Sequence, residues 1–239
     1  MIILVTGANR GLGYELVKEG LARGHQMIAA VRTVSEELKS LADEYGERLY
    51  IEHIDVANET SVAAGLGNIS ARFDHIDGLI NNAAVLLETK LFDGDLITGL
   101  SLTDFETTLN VNVMGVVRML QYFMPLLYKS KDAFIINVSS EGAKLRPEGH
   151  HYIAYATSKS ALNMYTQRMR NWLHVKMDRR DIRVYMVHPG RMNTVMGVEN
   201  AQIEAGVPAI GLMNIIDRVT PVEESEIPFI DYNGHPMPY

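Results

Sequence analysis

Thr6-Gly7-Ala8-Asn9-Arg10-Gly11-Leu12-Gly13 decides how the rest of this chain is read. The stretch follows the β-branched run Ile2–Thr6 and leads into residues 12–22, whose apolar side chains recur at helical spacing, so the glycines fall at a strand-to-helix turn. Glycine permits a tight turn and close backbone approach, and the N–H groups that open the following helix form a seat for a dinucleotide pyrophosphate. Such turns also use glycine for geometry alone, so the cluster gains its weight from standing at the very first strand. Gly7, Asn9, Arg10, Gly11, Leu12 and Gly13 are therefore candidate cofactor-binding residues.

Outward from the turn, short β-branched runs alternate with amphipathic stretches. Strands are predicted at Ile2–Thr6, Gln26–Val31, 49–54, 77–81, 133–138, 182–187 and 228–231. Helices are predicted at 12–22, 35–45, 60–73, 102–128, 152–177 and 203–217, with a loop over 87–100 and an ordered tail over 233–239. This alternation predicts the α/β class: a single Rossmann-type, doubly wound domain with a mainly parallel seven-stranded sheet and helices on both faces. With no repeat and no dividing linker, the 239 residues fit one domain spanning 1–239, and are too few for a nucleotide domain plus a full second one.

Bulk composition narrows the function. A formal charge of −7 argues against a nucleic-acid surface, which needs a dense cationic face. No apolar run approaches the ~20 residues that cross a bilayer, and the apolar start meets a glycine turn too soon for a secretory leader. The absence of cysteine removes disulfides and thiolate chemistry, and a cytoplasmic location is expected.

A Tyr-x-x-x-Lys pair places phenol and ammonium one helical turn apart, where the cation is expected to favour tyrosinate and lower the phenol pKa. The sequence holds two such pairs, Tyr14/Lys18 and Tyr155/Lys159. Tyr14 follows directly on the glycine turn, where its helix packs along the sheet, and is read as structural. Tyr155 opens the helix after the fifth strand, whose carboxyl end carries Asn137-Val138-Ser139-Ser140. In an open parallel sheet that edge is the ligand crevice.

The spacing Gly-x-x-x-Gly-x-Gly, followed by Asn81-Asn82-Ala83-Ala84, Asn110-Val111-Asn112, Ser139-Ser140, Tyr155/Lys159 and Pro189-Gly190-Arg191-Met192-Asn193-Thr194, resembles the short-chain dehydrogenase/reductase family over almost the whole chain. The tail 229–234 resembles its small subgroup of C-factor and sniffer-type carbonyl reductases. The resemblance implies a catalytic set of Asn112, Ser140, Tyr155 and Lys159, with Ser139 as the alternative serine and Asn112 holding a water that relays protons to the lysine. It implies cofactor contacts from Asp55, Val56, Asn82, Ala83, Pro189, Gly190, Met192 and Thr194, and from Tyr155 and Lys159. Ala84 departs from the family's glycine, and Asp55 has a second possible role as a helix cap.

Cofactor choice turns on the end of the second strand, Ala30-Val31-Arg32-Thr33, where an acid would favour NAD and none stands before Glu36. Arg32 and Arg10 suit a 2′-phosphate, so NADP(H) is expected over NAD(H). The expected function is hydride transfer between NADP(H) and a carbonyl or alcohol, an apolar aldehyde or ketone, beneath a short lid near 191–202 walled by Met192, Val195, Met196 and Val198. The alternative is an NADP(H)-binding regulatory protein with little turnover. An extended-type epimerase would need more than the roughly 50 residues left after Gly190. His150 and His151, on a loop with Arg146-Pro147, lack a carboxylate cluster and are not assigned to a metal. A homodimer or homotetramer is expected.

Overall fold

The computed structural model describes residues 1–88, 94–145, 150–194, 196, 201–223 and 225–238. Asp93, Arg146, Pro147, Val195 and Val198, and with them much of the lid expected near 191–202, lie outside the described residues.

Seven strands form one sheet: β1 Ile2–Thr6, β2 Gln26–Val31, β3 Leu49–His53, β4 Gly78–Asn81, β5 Phe134–Val138, β6 Arg183–His188 and β7 Phe229–Asp231. Their order is β3-β2-β1-β4-β5-β6-β7, and every pairing is parallel. Helices cover both faces, as the unbroken apolar runs require: Ile3 and Val5 of β1 enter one core and Leu4 between them enters the other. On the first face lie α1 Gly11–Ala22, α2 Glu36–Tyr45 and α7 Gly206–Ile216, through Leu16, Leu38 and Leu212. On the second lie α3 Glu59–Arg72, α5 Gly115–Leu127 and α6 Ile153–Asn171, through Ile69, Phe123 and Leu162.

Two helices depart from the simple expectation. The stretch predicted as one helix over 102–128 runs as α4 Leu102–Leu109, a π turn Asn110–Met114, and then α5. A second π turn, Trp172–Lys176, ends α6. A π turn admits an extra residue, and the first one carries Asn112, a buried side chain whose amide needs partners off the helix. No helix among the described residues is long and apolar enough to cross a membrane.

The chain reverses direction across the sheet between β1 and β4, so a crevice opens beyond their carboxyl ends. β4 can lie beside β5 only because Gly78 is small: a Cβ there would strike the Phe134 ring of its register partner. Gly78→Ala should lower the unfolding free energy by about 1–3 kcal/mol through overpacking, read as the urea midpoint. Adding Phe134→Leu to that variant should cost less than its effect in the parent chain, because the two changes share one space.

Candidate active site

The crevice begins at the glycine turn. Gly7 (φ 66°) and Gly11 (φ 56°) occupy the left-handed region that other residues rarely adopt, and a Cβ on Gly7 would come within 2.9 Å of the Ala83 Cα. Thr6 and Asn82 close that approach: the Thr6 hydroxyl accepts from the Asn82 and Ala83 N–H groups, and the Asn82 amide donates to the Thr6 and Gly7 carbonyls. Gly13 lets α1 sit on the turn, since a Cβ there would meet the Gly7 carbonyl. Ala84 keeps a negative φ, so its replacement of the family glycine brings no backbone strain.

Helix α1 starts with no side-chain cap and no acid in its first turn. Its opening N–H groups are thus left for an outside acceptor, the arrangement that binds phosphate. Asn9 ties the turn to the loop after β2, accepting from the Ser35 N–H (2.6 Å) while the Ser35 hydroxyl donates to the Asn9 carbonyl (3.2 Å). Arg10 and Arg32 stand exposed on the two sides of this tie, and neither pairs with a carboxylate among the described residues. Asp55 is no helix cap: Asn58 caps α3, and Asp55 accepts from the Ala57 N–H at the wall of the crevice.

At the far end, α6 lays Ser158, Lys159, Asn163 and Thr166 against the sheet, all buried. Each is matched. Asn137 of β5 donates to the Thr166 hydroxyl (2.8 Å) and accepts from Asn81 of β4 (2.8 Å). Ser139 donates to Asn163 (2.6 Å), and the Lys159 ammonium donates to the Val138 carbonyl (2.8 Å). The Ser139 hydroxyl is thereby used in the core, whereas the Ser140 hydroxyl stands near enough to the Tyr155 phenol to lower its pKa. Tyr155 also covers Lys159, whose nitrogen lies 5.6 Å from its ring centroid.

Asn112 is held by three bonds within the protein. Its amide clasps the Val85 backbone, accepting from the N–H (2.8 Å) and donating to the carbonyl (2.9 Å), and donates also to the Ser158 hydroxyl (3.0 Å). The expected fall of the Tyr155 pKa is corrected. Burial pushes the phenol above its usual value of 10, and the bond from Ser140 only opposes that rise. Burial likewise brings the Lys159 ammonium down from 10.5 to about 8. Both shifts have one cause, a site poor in water that penalises either charged form.

These parts surround one cavity of about 520 Å³. Gly7, Asn9, Arg10, Gly11, Leu12, Arg32, Asp55, Val56, Asn82, Ala83, Tyr155, Lys159, Pro189, Met192 and Thr194 line it, as does Met196. Gly13, Asn112, Ser140 and Gly190 do not line it; Gly190 (φ 82°) makes room for Ile203 and Tyr232. Sequence reading missed the roles of Ser35, Val85, Glu88 and Ser158. Their bonds join segments distant in the chain, except that the lack of a local cap on α6 hinted at an outside acceptor. The rival Tyr14 packs on the core while Lys18 lies 3.9 Å from Glu15, so that pair stays out of the cavity. His150 and His151 stack on each other, with ring centroids 4.1 Å apart, and no metal-binding cluster occurs among the described residues.

Comparisons with known proteins agree with this fold. A family model described as short chain dehydrogenase matches residues 1–205. The chain is 30% identical over 190 residues to the NADP-dependent 3-hydroxy acid dehydrogenase YdfG of Escherichia coli strain K12, covering 80% of this chain and 72% of that protein. It is 31% identical over 202 residues to the NADP-dependent 3-hydroxy acid dehydrogenase of Schizosaccharomyces pombe, covering 82% and 73%. Among solved structures it is similar to the carbonyl reductase Sniffer of D. melanogaster, with a TM-score of 0.85, 27% identity and coverage of 99% and 98%. The NADPH-bound carbonyl reductase from chicken fatty liver, at 24% identity and a TM-score of 0.84, shares the fold over 99% and 98% of the two chains.

The buried ammonium gives a pH test of the site. Because the folded-state pKa of Lys159 is depressed to about 8 from 10.5, the unfolded chain binds the extra proton between those values, and stability contributed at this site rises as pH climbs through that window. The parent should therefore gain stability relative to Lys159→Met from about pH 8 to 10.5, measured as the difference in urea midpoints.

Proposed function

The chain belongs to the short-chain dehydrogenase family, and from that premise we propose that it is an NADP(H)-dependent carbonyl reductase acting on apolar aldehydes or ketones. The observation that carries this reading is that Tyr155 and Lys159, with Ser140 beside the phenol, share one cavity with Arg10 and Arg32, neither of which pairs with a carboxylate among the described residues.

The cavity suits the nucleotide. The uncapped start of α1 offers N–H groups to a pyrophosphate, the left-handed glycines let it approach, and Arg10 with Arg32 offers two guanidinium forks to a 2′-phosphate. Asp55 and Val56 would meet the adenine, and Pro189, Met192 and Thr194 the nicotinamide, all from the cavity lining. When bound, the nicotinamide supplies or accepts the hydride.

The protein's own part is binding, orientation and proton movement. Ser140 and Tyr155 hydrogen-bond the substrate carbonyl oxygen, and the Tyr155 phenol gives it a proton as the carbon is reduced. A phenol raised by burial holds its proton at neutral pH, which suits an acid in the reductive direction. Lys159, beneath the ring, stabilises the phenolate left behind and is the group through which the proton is restored. Asn112 acts at one remove, fixing Val85 at the cavity wall and Ser158 on α6. We assign the whole span 1–239 to this one unit, with 191–202 as its substrate lid.

Val85, Val111, Val138, Met192 and Met196 make the substrate end apolar, and methionine adapts to varied shapes. Arg191, on the same turn as Met192, is held by Glu141 at 2.6 Å, so a carboxylate substrate would have to compete for it. Met164, Trp172 and Val175 lie exposed on α6 and its π turn, a surface suited to pairing two copies as a dimer or a tetramer.

Tyr155→Phe should fold and bind NADPH while losing nearly all turnover on a panel of aldehydes, ketones and 3-hydroxy acids followed at 340 nm; full activity in that variant removes Tyr155 from the mechanism. Arg32→Ala and Arg10→Ala should each raise the KM for NADPH by about tenfold, the worth of one charge-assisted bond, and leave the KM for NADH nearly unchanged.

A further inference from the structure

Helix α6 begins without a cap of its own. Tyr152 stands before it in the left-handed region (φ 59°) and supplies no side-chain cap, and the first turn holds no acid. The opening N–H groups of a helix have no partner within it, and here one of them belongs to Tyr155. The acceptor comes from far upstream. Glu88 Oε1 accepts from the Ala154 N–H at 3.0 Å, and its Oε2 accepts from the Tyr155 N–H at 2.9 Å. A carboxylate there also complements the positive end of the helix dipole.

Glu88 ends a segment fastened at three points. Asn82 binds the glycine turn, Val85 is clasped by Asn112, and Glu88 holds the start of α6. The Ser158 hydroxyl, itself bonded to Asn112, donates to the Tyr155 carbonyl (2.7 Å), so the tyrosine backbone is gripped at both its N–H and its carbonyl.

We propose that Glu88 is a positioning residue for Tyr155: its carboxylate fixes the first turn of α6 so that the phenol stays against Ser140 and above Lys159. The proposal rests on the reading of Tyr155 as proton donor. The catalytic groups themselves are untouched by Glu88.

The test compares Glu88→Ala with Glu88→Gln, which keeps one acceptor oxygen and serves as the folded comparison. Three quantities are read: amide hydrogen exchange at Ala154 and Tyr155, the Kd for NADPH, and kcat. Loss of both bonds in Glu88→Ala should speed exchange at the two amides and lower kcat by about tenfold, with the Kd for NADPH within about twofold of the parent. Glu88→Gln should recover kcat to within about threefold of the parent. Exchange at Ala154 and Tyr155 that matches the parent overturns the proposal, as does a loss of NADPH affinity in step with kcat. A parent protein that reduces no carbonyl overturns the reductase reading instead, and the exchange comparison still decides what Glu88 does to the helix.

Discussion

The face that α6 turns to the sheet is largely polar, and each group on it must meet a partner or cost the fold its desolvation. Ser158, Lys159, Asn163 and Thr166 are all buried there, and they meet Asn112, Val138, Ser139 and Asn137 respectively. A buried polar group left unmatched costs about 1–3 kcal/mol, and an uncompensated charge costs more. Three of the partners are consecutive positions of β5 and its continuation, so α6 cannot slide or roll along the strand without breaking several bonds together. An apolar face would tolerate such movement far better, because dispersion contacts are not directional. The aim of Tyr155 is thus set partly by Thr166, about three turns away on the same helix.

The nucleotide end follows the opposite rule. There the chain leaves groups unmatched: α1 has neither cap nor first-turn acid, and Arg10 and Arg32 keep their guanidinium groups clear of carboxylates among the described residues. What is held fixed is the backbone, through the Thr6–Asn82 bonds and the Asn9–Ser35 tie. Rigid donors aimed at open space bind an anion with little reorganisation. The segment from Asn82 to Glu88 joins these two ends, so the site is one mechanical piece despite drawing on both halves of the sheet.

Burial also sets the proton chemistry. In a water-poor site the phenol of Tyr155 rises and the ammonium of Lys159 falls to about 8, so the resting pair is a neutral acid beside a cation not far above physiological pH. A cation in that range can release and regain a proton at modest cost. The one-turn spacing of tyrosine and lysine specifies their proximity, but the direction of each shift follows from how much water the surrounding fold excludes.

The sequence by itself determined the alternation of strands and helices, the glycine turn at the first strand and the membership of Tyr155 and Lys159 in one helical turn, because each of these is a local property of spacing and residue type. It also carried the family resemblance that the match over residues 1–205 bears out. Only the tertiary structure tied Ser139 to Asn163, freed Asp55 from the role of helix cap, gave Asn112 the Val85 backbone as its partner and brought Glu88 to the Tyr155 backbone. It also broke the long predicted helices with π turns at Asn110–Met114 and Trp172–Lys176. The physical reason is common to all of them: a hydrogen bond between residues far apart in the chain leaves no trace in local periodicity, and a pKa depends on burial that exists only once the helices have closed over the sheet.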